Sequence, residues 1–223
     1  MDNSTIDYLN QQYEIYKVDL SDIDLDDFAV SFAPFIHLVN FWSQLLALVI
    51  SKSSKPALRK KIIKYLYKAN CDELSQVDTF KLFINECQNN KLASFIKEVN
   101  LHLDSDNQIK QNLSIDTEIF ESNPLISTYK ISILNFIETN DFNDCCQMLG
   151  AIEYIYHLIS KDINYYYKLQ TNSDPSYHYT ADKVLDISHS NDLFECNSKL
   201  INEENLEFGI KWITNCIRTL IMI

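Results

Sequence analysis

"MLGAIEYIYHLIS", residues 148–160, is apolar nearly all the way round a helical turn, yet it carries Glu153 and, one turn later, His157. A stretch of that kind reads as a helix buried in a protein core. Gly150 and Ala151 leave room for a second helix to approach closely. Gly150 is also one of only two glycines in 223 residues, with Gly209 the other, where an average protein carries roughly 7%. Hairpin turns and phosphate-cradling loops both need glycine, so sheet-rich folds, dinucleotide fingerprints and P-loops are excluded. An all-α protein remains.

Apolar spacing and chain breakers divide the rest into helices over 25–51, 55–70, 75–103, 124–139, 141–170, 174–196 and 203–221. Pro56, Pro124 and Pro175 are expected in first turns, preceded by serine, asparagine or aspartate caps. The acidic opening "VDLSDIDLDDF" reads as a loop feeding a helix N-terminus, where carboxylates are favoured. Residues 1–24 are accordingly expected to be irregular, and the polar stretch 104–123 to be the longest connection. No linker divides the chain, so residues 1–223 are expected to form a single bundle of about seven helices.

The net charge of −12 repels phosphate backbones, and the densest basic patch, "LRKKIIK" from Leu58, reads as one solvated helix face. Nucleic acid is not an expected partner. The N-terminus lacks a positive segment followed by an apolar core, and none of the six cysteines forms a CxxC. Reduced thiols and a cytoplasmic location are expected. "FAPFIHLVNFWSQLLALVI", residues 32–50, has the length of a membrane span, but Pro34, His37, Asn40, Ser43 and Gln44 would be costly in lipid. It reads instead as a buried helix whose polar stripe, His37, Asn40 and Gln44, faces a cavity, and no membrane partner is expected. His37 taken alone also fits a satisfied core histidine.

Two features carry candidate chemistry. In "HYTADKVLDISHSND", residues 178–192, His178, Asp182, Asp186 and His189 recur at intervals of four, four and three and share one helical stripe. Helical bundles build metal sites from such carboxylates and imidazoles, although solvated helix faces show the same spacing. The second feature is Glu153. A buried glutamate needs a metal, a cation or a hydrogen-bond donor, and the chain's thirteen tyrosines could also supply the last.

"GAIEYIY" followed about thirty residues later by "YHYTADKVLDISHSNDLF", together with "PALRKKIIKYLYKANCDELSQVDTFKLFI" upstream, resembles the haem-oxygenase-like superfamily. The likeness is to the branch of TenA- and PqqC-type proteins that includes the CADD-like proteins and the haem-oxygenase-like diiron oxidases, also called iron-containing redox enzymes. That resemblance implies a haem-oxygenase-like helical bundle. The family's ligands are a Glu and a His seven residues apart, a lone Glu, and a His-x3-Asp-x2-His triplet. The lone Glu falls on Glu153, and the triplet's Asp and last His fall on Asp186 and His189. The triplet's first His is Asp182 here, a competent ligand for a hard cation. The family's first Glu is Ala69, which has no donor, and its paired His is Gln76, a poor neutral ligand.

The resemblance therefore implies an iron-dependent oxidase or oxygenase acting with dioxygen on a small metabolite. Its metal ligands would be Glu153, Asp182, Asp186 and His189, with Gln76 a weaker candidate. This set suffices for one iron rather than two, or for none. His37, Asn40, Ala69, His157 and His178 would line the pocket. No haem or nucleotide is expected, and pairing as a homodimer follows from the family's habit. A second reading is a non-catalytic relative that binds a small ligand or a protein partner in the helical cavity. A third is a metal-independent TenA- or PqqC-like enzyme. In its thiaminase form it would need Cys145 or Cys146 as an activated nucleophile.

Overall fold

The buried helix around residues 148–160 is the one on which several other helices of the bundle pack. The computed structural model describes residues 1–21, 23–71, 76–88, 123–175 and 178–222, with only the backbone described for the helical residues 65–71, 76 and 178–186. In chain order the helices are α1 (Asn3–Tyr16), α2 (Leu25–Phe32), α3 (Ile36–Lys52), α4 (Pro56–Cys71) and α5 (Gln76–Gln88). There follow α6 (Pro124–Thr139), α7 (Phe142–Thr171), α8 (His178–Cys196) and α9 (Glu203–Ile221). No strand occurs among the described residues. The chain is an all-α helical bundle.

Helix α7 runs for 30 residues, and among the described residues α8 and α9 pack along it more extensively than any other pair of helices in contact. Both approaches depend on glycine. A Cβ on Gly150 would lie 2.8 Å from the Phe194 ring of α8, and one on Gly209 would lie 2.6 Å from the Met148 carbonyl oxygen of α7. The expected close approach at Gly150 is thus made by α8. Around α7 lies an aromatic core. Phe28, Phe32 and Phe35 meet Phe80 and Phe83 of α5 and Tyr156 and Tyr166 of α7, and Phe83 in turn meets Tyr167, with ring centroids 5.0–6.3 Å apart. These spacings suit tilted and offset ring pairs.

Most helix starts obey local chemistry. The carboxylate of Asp24 accepts from the Asp26 amide, that of Asp141 from the Asn143 and Asp144 amides, and the Asn123 side chain from the Leu125 amide, with Pro124 following it in the first turn. Pro56 opens α4 as expected.

Four expectations need correction. Residues 1–24 are not irregular throughout, because α1 occupies 3–16. Asp2 caps it by accepting from the Thr5 amide at 2.8 Å, and it buries Thr5, Leu9 and Tyr13 against the bundle. Side-chain tips hold it in place: Tyr13 donates to Asp162 at 2.6 Å, Tyr154 to Asn10 at 3.1 Å, and Arg218 to the Tyr16 carbonyl at 2.8 Å. The helix expected over 25–51 is two helices joined by a 3-10 turn at Ala33–Phe35, since Pro34 has no amide hydrogen to donate to the helical ladder. Pro175 does not open a helix, because α8 begins at His178. Asp174 forms an ion pair with Lys168 on the last turn of α7.

The fourth correction concerns α3. Asn40 and Gln44 are exposed and His37 is half-buried, so that stripe faces solvent at two of its three positions. Spacing alone does not distinguish a wet cavity from bulk water. The run Leu25–Lys52 is long and apolar enough to cross a membrane by length and composition, and within the fold Leu38, Leu45, Leu46 and Val49 are core residues. The expected helix over 75–103 is described as far as Gln88. Its remainder and the expected connection at 104–123 lie outside the described residues, apart from Asn123.

Candidate functional site

Glu153 and His157 are 5% and 2% exposed on α7, one helical turn apart. They begin a longer series. Ser160, Asn164 and Tyr167 follow at steps of three, four and three, and all are buried. Steps of three and four keep side chains on one side of a helix, so α7 carries a continuous polar stripe inside the bundle. It extends over about 21 Å at 1.5 Å per residue.

On α8, His189 is 3% exposed, and Leu193 and Cys196 on the same stripe are also buried. The hydroxyl of Ser190 donates to the Gly150 carbonyl oxygen at 2.9 Å, and the Phe194 ring lies against Gly150. These contacts fix the register of α8 as it folds back along α7. Glu153, His157 and His189 each engage a partner in the structure.

His178 is the first residue of α8, and Asp182 and Asp186 lie farther along the same helix. Ala69 is in the last turn of α4, and Gln76 opens α5. The side chains of these five lie outside the described residues. Among the described residues no three His, Cys, Asp or Glu side chains group closely enough to hold a metal.

The structure also buries an acid outside the expected ligand set. Glu86 of α5 is 1% exposed, with Thr79 and Phe83 buried on the same helical stripe. It lies at the far end of the polar stripe from Glu153. The Phe83 ring is 6.0 Å from Tyr167, and the Tyr167 hydroxyl is held well above its ordinary pKa by burial and then by the charges of Glu86 and Cys87. The signal is present in "KLFINEC", which sets an acid among apolar residues as "GAIEYIY" does.

Cys145 and Cys146 are fully buried. Burial pushes the Cys145 thiol up to about 11 and raises that of Cys146 as well. Such thiols are protonated at neutral pH, which is the opposite of an activated nucleophile. The described cleft does not open onto the Glu153 region. It measures about 170 Å³ and is lined by Asp24, Leu25, Asp26, Cys87, Gln88 and Gln170, and Gln170 is 17 residues, about 25 Å of helix, from Glu153.

No protein-family model matches this sequence, and no curated protein matches it.

Proposed function

We propose that the seam between α7 and α8 is a metal site of a non-haem iron oxidase or oxygenase related to the haem-oxygenase-like diiron oxidases and acting on a small metabolite. The observation that carries this reading is the burial of Glu153 and His189 on two helices whose register is fixed at Gly150 and Ser190. Stepping from that pair in the common direction brings backbone position 186 level with position 154, and position 182 level with position 158. Asp186 thereby comes to the height of Glu153, and Asp182 to the height of His157.

The donor types fit one divalent first-row ion. Glu153 and His189 would hold it with Asp182 and Asp186, and carboxylate with imidazole is a set that suits iron and leaves positions open for dioxygen. A bound ferrous ion would supply the electrons for dioxygen chemistry. The protein's own part is to bury Glu153 and His189 away from bulk water on two helices whose register is fixed. His157, one turn from Glu153, is placed to orient a ligand carboxylate or to hold a proton beside it.

Glu153→Gln and His189→Ala test the reading by equilibrium ferrous binding under anaerobic conditions, with circular dichroism to check the fold. Each is expected to weaken binding by about tenfold or more. Unchanged affinity in both variants would overturn the assignment. A protein that binds no metal but takes up a small ligand in the bundle would be the non-catalytic relative instead.

A further inference from the structure

From Phe28 to Cys71 the chain runs for 44 residues without an aspartate or a glutamate, and this run holds seven of its nineteen basic residues and none of its thirty-one acidic ones. The molecule as a whole is acidic, but its charge is segregated. The basic residues concentrate at the end of α3 and along the first half of α4, where Lys55, Arg59, Lys60, Lys61 and Lys64 are all exposed.

Their partners set them apart from lysines elsewhere. Lys17, Lys168, Lys199 and Lys211 each form an ion pair with a carboxylate, and within the basic run Lys61 pairs with Glu195. Lys52 donates to the carbonyl oxygens of Glu138 and Asn140 at the end of α6. Lys55, Arg59, Lys60 and Lys64 form no ion pair with a carboxylate among the described residues. Arg59 reaches only the Ser54 carbonyl, at 3.5 Å.

The helix is also apolar at the crest of this face. Ile62 points into the core at 1% exposure, while Ile63 is 50% exposed. By helical periodicity Ile63 stands on the outward side of α4, between Arg59 and Lys60 and opposite the line of Leu58 and Ile62. An exposed isoleucine ringed by cations that form no ion pair among the described residues suits a surface that is anionic outside and apolar just beneath.

We propose that the outward face of α4 docks on an anionic lipid surface, with Lys55, Arg59, Lys60 and Lys64 at the headgroup level and Ile63 entering the interface. Basic amphipathic helices bind such surfaces through both terms. The acidic remainder of the molecule does not prevent this, because charges beyond about 8 Å are largely screened at physiological ionic strength. It fixes the orientation, since no other face among the described residues carries such a concentration of basic residues. This is peripheral contact, and the apolar helices α2 and α3 remain in the bundle.

Two other occupants fit less well. In a two-fold pair through this face, like charges would meet. A nucleic acid offers phosphates but nothing for Ile63.

The test is co-sedimentation of the full chain with vesicles of equal parts phosphatidylserine and phosphatidylcholine, with phosphatidylcholine vesicles as control. Binding is expected only to the anionic vesicles, falling as salt rises. Lys60→Glu with Lys64→Glu should abolish it, and Ile63→Asp should weaken it by about fivefold or more at low salt. All three positions are solvent-facing, and unchanged helical circular dichroism confirms that the fold survives. Failure to bind anionic vesicles, or binding indifferent to the double substitution, would overturn the proposal. Tighter binding to a duplex oligonucleotide, or self-association removed by the same substitutions, would overturn it in favour of those partners.

Discussion

The hydroxyl of Ser190 on α8 donates to the main-chain carbonyl of Gly150 on α7 at 2.9 Å, inside the core. This bond locks two helices at the level where Gly150 has no side chain and Phe194 fills the space. Ser190→Ala is expected to cost about 1 kcal/mol, the usual net worth of such a bond, in urea unfolding followed by circular dichroism. A cost near zero would mean that the register is set by packing alone.

Gly150 and Gly209 both sit at close helix crossings but should respond differently to alanine. The new Cβ at 150 meets an aromatic side chain that can rotate, whereas the Cβ at 209 meets the backbone carbonyl of Met148 at 2.6 Å, which cannot. Gly209→Ala is expected to lose about 1–3 kcal/mol through overpacking, and Gly150→Ala to lose less, because helix propensity offsets part of the clash. Equal losses in parallel denaturant titrations would contradict this ordering.

Helix α1 is fastened by the bond from Tyr13 to Asp162. Tyr13→Phe leaves that carboxylate without its donor and should cost about 1.5–3 kcal/mol, as bonds to charged groups do. Amide exchange is the sensitive readout. The α1 amides should lose protection before those of α7, and uniform loss across both helices would contradict local fastening.

Asp141 caps α7 and pairs with Lys199, and these contacts, the Lys199 ammonium first, lower its carboxyl to about 2 from 3.8. A carboxylate lowered on folding adds stability that is complete above its unfolded pKa and is lost as pH falls through the folded one. The wild type should therefore lose this contribution between about pH 4 and pH 2. Asp141→Asn keeps the cap but removes the titration, so its stability should fall less over that window. An acid limb identical in both proteins would contradict the assignment.

The thiols of Cys87, Cys145, Cys146, Cys196 and Cys216 are buried, and burial raises each. Reaction with an aromatic disulfide at neutral pH, mapped by mass spectrometry, should leave all five unmodified until the protein is denatured. Rapid native labelling of Cys145 or Cys146 would restore the thiaminase-like reading.

The elements legible in the sequence are those whose reason for forming is local. α7 and α9 follow from apolar periodicity, and α6 from the Asn123–Pro124 start. The concealed ones depend on distant contacts. α1 offers few apolar residues for periodicity to detect, and Tyr13, Asn10 and Tyr16 are held by groups about 144 to 202 residues away. Pro175 resembles a helix start because the pairing of Asp174 with Lys168 is not visible in spacing. At the candidate site, Glu153 and His157 are legible because an acid and an imidazole in an apolar helix must be buried. Glu86 obeys the same rule, but the family resemblance assigns no ligand to its position and points instead to Ala69 and Gln76. The exposure of Asn40 is not legible from spacing, because an amide at helical intervals is equally at home in a cavity and in water.

An anaerobic ferrous titration of the metal-free protein, with iron per chain counted by elemental analysis after desalting, tests the claim that the α7–α8 seam holds iron. One iron per chain is expected, lost in Asp186→Ala. Two per chain would show that the ligand set extends beyond Glu153, Asp182, Asp186 and His189, and none would contradict the claim outright.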